Sequence, residues 1–296
     1  MNRQLRTRTL SPAGPTSPSA GSIWPGRDLI DQQGEQVIRG DEDTTPSAHA
    51  TSQYATTTHN LTARIAIHRY GTNPQDWYSW LEERLPLAGD VLEVGAGTGL
   101  LWTRVDHAQR RLRLTLIDFS PAMCARLRKV RGARVVRCDA GELPFCDAAF
   151  DTVVANHMLY HLDDPVAALR EFARVLRPGG RLAAAVNGAD HLAELSAIGV
   201  EIGRPDLALT ACQNDFTAET GPRYVARYLT DVTVERYPCD LDVPHAEPIL
   251  AYLDSMADEP LTAEQRSAAS ELVRAHINAH RSYRIRKHTV LITGSA

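Results

Sequence analysis

The stretch VLEVGAGTGL, Val91 to Leu100, decides the fold. Apolar residues of strand character run into three glycines, Gly95, Gly97 and Gly99, and a helix-like pattern follows. Glycine tolerates positive φ and lets backbone approach a ligand, while a helix N-terminus presents free N–H groups. Such a junction is where open α/β sheets take nucleotides. The spacing narrows the choice: dinucleotide dehydrogenases favour GxGxxG, whereas here the third glycine comes one residue early and Glu93 precedes the first, a poor fit to a nicotinamide enzyme.

Working outward, short apolar runs at 90–94, 112–118, 133–137, 150–155 and 181–186 alternate with helical patterns at 100–107, 121–130 and 165–176. This alternation implies parallel strands with right-handed crossovers, a doubly wound α/β sheet. Asp164 before Pro165 predicts an N-cap, and RPGG at 177–180 predicts that helix's end. Ahead of the sheet, Leu61, Ile65 and His68 share a helical face. Asn73 before Pro74 predicts the start of a second helix carrying Trp77 and Leu81. Beyond 187, helices are expected near 191–198, 222–229, 246–256 and 263–280, with strands at 233–237 and 288–293 that finish the sheet from one edge.

Composition bounds the rest. The chain has 296 residues, 43% hydrophobic and 23% charged, with a formal charge of −4, a profile expected of a soluble cytoplasmic protein. No broad positive field favours nucleic acid, and no apolar stretch suits a membrane span or secretory signal. Residues 1–50 hold five each of Ser, Thr, Pro and Gly, which predicts a disordered leader because so little apolar surface cannot offset ordering entropy. The folded domain is expected over 51–296: a helical cover at 51–89, a ligand-binding core at 90–187, and lid helices with the final strands at 188–296. The five cysteines are scattered without a CxxC pair, which argues against a disulfide framework or a cysteine metal site. Self-association into a homodimer is left open.

The strand ends describe a ligand. Asp118, nineteen residues after Gly99, can accept hydrogen bonds from ribose hydroxyls. Asp139, at the end of the third strand in CDAGELPF, can take an exocyclic amine, with Leu143 and Phe145 available to sandwich a base. Together these ends suit an adenosine without a pyrophosphate. Here the sequence resembles the class I S-adenosylmethionine-dependent methyltransferases, through VLEVGAGTG (91–99), LIDFSPAMCARLR (116–128), CDAGELPFCDAAFDTVVANHMLYHLDD (138–164) and LREFARVLRPGGRL (169–182). The resemblance implies a Rossmann-like, seven-stranded, mostly parallel sheet with an antiparallel last strand. It implies that S-adenosylmethionine is the cofactor and that Glu93, Gly95, Ala96, Gly97 and Gly99 hold its methionine and ribose. It also places Asp118 on the ribose, Phe119 and Met123 beside the adenine, and Asp139 and Ala140 at its amine and ring nitrogen.

The fourth strand brings Asn156, another cofactor-site candidate, and His157 to the sheet's carboxyl edge, with His161 four residues on. His157, His161 and, from the cover, His68 are the candidate bases, against packing roles for all three. His157 and His161 have ligand spacing without an HExxH glutamate, so no metal is expected. Asn187 and 210–228, which includes Phe216, Tyr224 and Tyr228, read as an acceptor-side lid. The leading expectation is methyl transfer to O, N or C of a small metabolite. The alternatives are a methyltransferase for RNA or protein, or a non-catalytic cofactor-binding regulator.

Overall fold

The computed structural model describes residues 64–207, 214–257 and 259–296, so the leader, the start of the cover and Cys212 lie outside the described residues. The chain runs α1 (Trp77–Glu82), β1 (Asp90–Val94), β2 (Arg113–Asp118), α2 (Pro121–Leu127), β3 (Arg134–Arg137), β4 (Phe150–Asn156), α3 (Pro165–Val175) and β5 (Leu176–Asn187). It continues α4 (Ala193–Glu201), α5 (Gly221–Val225), β6 (Thr230–Arg236), β7 (Leu241–Val243), α6 (Ala246–Met256), α7 (Ala263–His280), β8 (Tyr283–Ile285) and β9 (Thr289–Ser295). Seven strands form one sheet in the order β3-β2-β1-β4-β5-β9-β6. The first five are mutually parallel, and β9 runs antiparallel to both neighbours. This is the doubly wound α/β architecture with an antiparallel last strand.

Alternation along the strands explains the two-sided core, because successive side chains point to opposite faces. Leu92 and Val94 of β1 pack with Phe150, Leu169 and Phe172 on one face, and Val91 packs with Trp80, Leu116 and Leu291 on the other. A third cluster joins Ile67 to α4, α6 and α7 and to a small sheet of β7 and β8. Those two strands are three residues each, too short to show a period in sequence.

Local differences from the expected elements have visible causes. Helix α1 is capped by Asp76, which accepts from the Tyr78 and Ser79 amides, while Asn73 closes a separate turn by accepting from Gln75 N at 2.9 Å. The helix expected over 100–107 is a short 3-10 turn, Leu100–Thr103: Trp102 turns inward to Glu93, and the Asp106 carboxylate takes Gln109 N at 2.8 Å, a local bond that competes with a helix. Asp164 caps α3 as expected, and RPGG lies inside β5, which begins directly at Leu176.

At the amino edge of the sheet, Asp90 accepts from Arg113 at 2.5 Å through both carboxylate oxygens and from Arg177 at 2.8 Å. Arg177 also reaches Asp151 at 2.6 Å.

Candidate active site

At the opposite, carboxyl edge lies a cavity of about 350 Å³, lined from the ends of β1, β2, β3 and β4. Gly95, Gly97 and Gly99 all have positive φ, at 64°, 56° and 74°. A side chain at Gly95 would bring its Cβ to 2.7 Å from Met158 Cβ, whereas Gly97 faces open space. Asp118 is shaped by the same turn, accepting from Gly97 N and Ser120 N at 2.9 Å each. Phe119 stays 41% exposed and Met123 is buried, and both line the cavity.

The charge state of this pocket is unusual. Burial pushes the Glu93 carboxyl up to about 8, the hydrogen bond from Trp102 Nε1 opposing and Asp118 adding to the shift. Burial also raises Asp118, against the backbone amides of Ser120, Gly97 and Phe119. Asn156 Oδ1 is buried at the cavity without a hydrogen-bond partner among the described residues. Two carboxyl groups lacking a cation and an unused amide oxygen make a pocket that suits a ligand bearing positive charge and N–H donors.

His157 occupies the turn after β4 with φ 58°, a conformation that costs energy in a side chain of this size, and its amide donates to Ala185 O at 3.0 Å. Its ring lines the cavity and packs against Trp77 at 5.3 Å, leaving Nδ1 buried and unbonded among the described residues. Burial, Lys287 and His161 hold it down to about 3. His161 also lines the cavity, in the 3-10 turn Leu159–His161. His68, a candidate base in sequence, is not among the residues that line the cavity, and it is likewise held to about 3 by burial, Lys287 and His157. His157 and His68 are therefore neutral imidazoles at neutral pH.

Of the residues singled out in sequence, Glu93, Gly95, Ala96, Gly97, Asp118, Phe119, Met123, Asp139, Ala140, Asn156, His157 and His161 line the one cavity. Gly99 shapes its glycine turn from the α2 side, where an added Cβ would meet Leu127 and Val130. Leu143 and Phe145 do not sandwich a base: both are core residues, Phe145 set edge-on to Phe150 at 5.0 Å. Phe216 is likewise core, and Asn187 accepts from Thr289 Oγ1 at 3.0 Å to tie β5 to β9, so neither serves as an open lid surface. Tyr78 and Ile65 line the cavity without having been singled out as ligand-site residues. Among the described residues, Asp190, Glu219 and His288 form a trio of ligand-type atoms, but Arg286 already binds Asp190 Oδ2 at 2.8 Å and His288 Nδ1 sits 2.5 Å from Asp190 Oδ1. That trio is an ion-pair network.

The methyltransferase-domain family model matches residues 92–184, the span holding the glycine turn, Asp118, Asp139 and His157. Residues 92–184 form a methyltransferase domain of the S-adenosylmethionine-dependent kind. It is 36% identical over 99 residues to the ubiquinone/menaquinone biosynthesis C-methyltransferase of Desulfotalea psychrophila, a match covering 32% of this chain and 40% of that protein. It is 38% identical over 138 residues to phosphatidylethanolamine N-methyltransferase of Cereibacter sphaeroides, covering 44% of this chain and 66% of the relative. The matches thus span between two fifths and two thirds of these relatives. In fold it is similar to phosphoethanolamine N-methyltransferase 2 of Haemonchus contortus, solved with phosphomonomethylethanolamine and S-adenosylhomocysteine, with TM-score 0.53 and 16% identity, covering 86% of this chain and 60% of that one. Among the described residues, no helix is long and apolar enough to cross a membrane.

Proposed function

We propose that this chain transfers a methyl group from S-adenosylmethionine to an O, N or C nucleophile of a small molecule. The observation that carries the reading is the pairing of the positive-φ glycine turn with two burial-raised carboxyl groups in one cavity that no lysine or arginine lines among the described residues. Bound there, S-adenosylmethionine supplies an electrophilic methyl carbon on a sulfonium, which a nucleophile aligned behind it can take while sulfur leaves as a neutral thioether.

The chain's residues divide the work. Asp118 accepts from ribose hydroxyls, Phe119 and Met123 flank the adenine, and Asp139 and Ala140 meet its edge. Glu93 and Asn156 face the positive, N–H-bearing amino-acid end. Orientation is the main contribution, worth roughly 7–11 kcal/mol where alignment is good. His157 and His161 stand where an acceptor would approach the methyl. Held to about 3 by burial, His157 is too weak a base to take a proton from an acceptor hydroxyl or ammonium, so its neutral ring positions the acceptor instead. The acidic balance and a cavity of metabolite size favour a small acceptor over RNA or protein.

The test is incubation of the full chain with methyl-labelled S-adenosylmethionine and pools of small metabolites, read by mass spectrometry. The account predicts labelled acceptor together with S-adenosylhomocysteine, both lost in Asp118→Ala at limiting donor. Tight donor binding without labelled product from any pool would leave a cofactor-binding regulator as the better reading.

A further inference from the structure

Around His157, four basic side chains act on one another electrostatically, and only His157 among them lines the cavity. His157 follows β4, His191 follows β5, Lys287 precedes β9, and His68 comes from the 3-10 turn Ile67–Tyr70. Lys287 and His191 are each only 7% exposed. The Lys287 ammonium lies 4.8 Å from the centre of the Tyr237 ring, Tyr237 packs on Trp77 at 5.3 Å, and Trp77 packs on His157, so the cluster is continuous with the cavity wall.

No carboxylate pairs with Lys287 among the described residues. Burial holds the Lys287 ammonium below the usual lysine range; the one nearby carboxylate that opposes the shift, Asp76, is engaged elsewhere, as is the Cys239 thiol. Asp76 caps α1, taking Ser79 Oγ at 2.6 Å and Arg104 at 3.3 Å, and Cys239 Sγ donates to Asp240 O at 3.2 Å. Asp240 itself accepts from Arg284 and from the Lys287 amide. His191 Nδ1 accepts from His288 N at 3.1 Å, which leaves its proton on Nε2 as a free donor in the neutral ring. Next door, His288 is satisfied by Asp190, with Glu219 at 3.6 Å. His68 Nδ1, His157 Nδ1 and Trp77 Nε1 are all buried without partners among the described residues. A buried ammonium without an anion, ringed by unused N–H-capable groups, is costly unless a ligand completes it.

We infer that this cluster is a carboxylate-binding subsite for the methyl acceptor, with Lys287 as the fixed charge and His68, His157 and His191 as hydrogen-bond partners. One fixed positive charge with neutral imidazoles matches a monoanion better than a phosphate dianion. The assignment rests on the methyltransferase reading for what the carboxylate belongs to, and on the cluster alone for the anion.

The experiment titrates the full chain, first with S-adenosylhomocysteine and then with benzoate, benzamide and inorganic phosphate at pH 6.5 and 8, for wild type, Lys287→Gln and Lys287→Arg. Benzoate is expected to bind at least about tenfold more tightly than benzamide, the scale of a charge-assisted hydrogen bond. Lys287→Gln should erase that preference and Lys287→Arg keep most of it, with S-adenosylhomocysteine affinity unchanged in both. Benzoate affinity should not fall from pH 8 to 6.5, since burial keeps His68, His157 and His191 neutral across that range while lower pH favours the Lys287 charge that burial opposes. Lys287→Gln should melt no lower than wild type, because it removes an unpaired buried cation. Equal affinity for benzoate and benzamide, a preference that survives Lys287→Gln, or tighter binding of phosphate than benzoate overturns the proposal. If S-adenosylhomocysteine fails to bind wild type, the methyltransferase reading falls, while benzoate titration of the unloaded chain still decides the subsite.

Discussion

Asp90 and Glu93 stand three residues apart on β1, at opposite edges of the same sheet, and their environments are opposite. Asp90 is buried, yet hydrogen bonds from Arg113 and Arg177 outweigh that burial and hold its carboxyl below the usual range. Glu93 is buried with only an indole N–H for company and sits near 8. The amino edge has its charges matched and closed. Among the described residues, the carboxyl edge leaves carboxyls without cations in the cavity and a cation without a carboxylate beside it. One edge is built for stability, and the other keeps unmatched charge for ligands.

Two glycines give the widest contrast. Gly89 at the amino edge and Gly95 at the carboxyl edge both have positive φ, and an added Cβ would overlap Asp151 in one case and Met158 in the other. Both alanine variants should lose about 1–3 kcal/mol or more of stability, the scale of a strained backbone. In denaturant melts and donor titrations, Gly95→Ala should also weaken S-adenosylhomocysteine binding by more than about tenfold, and Gly89→Ala should leave it unchanged in whatever fraction folds. A donor-binding loss from Gly89→Ala as large as that from Gly95→Ala would dissolve the distinction between the edges.

Asp118→Ala should weaken the donor by about 1–3 kcal/mol, the scale of hydrogen bonds to a charged group, as measured by calorimetry. An unchanged dissociation constant would count against its ribose role.

The carboxylates of β1 should respond in opposite directions. Asp90→Asn should cost about 1–3 kcal/mol of stability by leaving two guanidinium groups without their charge partner, with donor affinity intact. Glu93→Gln should stabilise the ligand-free chain at pH 8 while weakening the donor. The sign follows from linkage: folded Glu93 keeps its proton up to about 8, whereas the unfolded carboxyl loses it near 4.5. Its contribution is therefore present below 4.5 and lost as pH rises from there to 8. Melts of wild type and Glu93→Gln should diverge over that window and converge at pH 4.5.

The sequence made this cavity lining legible because its residues sit in contiguous motifs: a glycine turn on β1, an aspartate ending β2 and another after β3. It misled at Leu143 and Phe145, where apolar residues beside Asp139 resemble walls for a base but turn into the core beside Phe150. It was silent on Lys287 and His191, which meet His68 and His157 only because β9 is inserted antiparallel beside β5. The helix expected at 100–107 gives way to a short turn because Trp102 turns inward to bond Glu93 and Asp106 takes the Gln109 amide.

The most direct test of unmatched charge at the carboxyl edge is the proton count on donor binding. S-adenosylmethionine would be titrated calorimetrically at pH 7 in two buffers of different ionisation enthalpy, with wild type and Glu93→Gln. The account predicts net proton release as the cationic donor ionises Glu93, and no release from that carboxyl in the variant. Proton-neutral binding to wild type, or release of the same size in both, would contradict it.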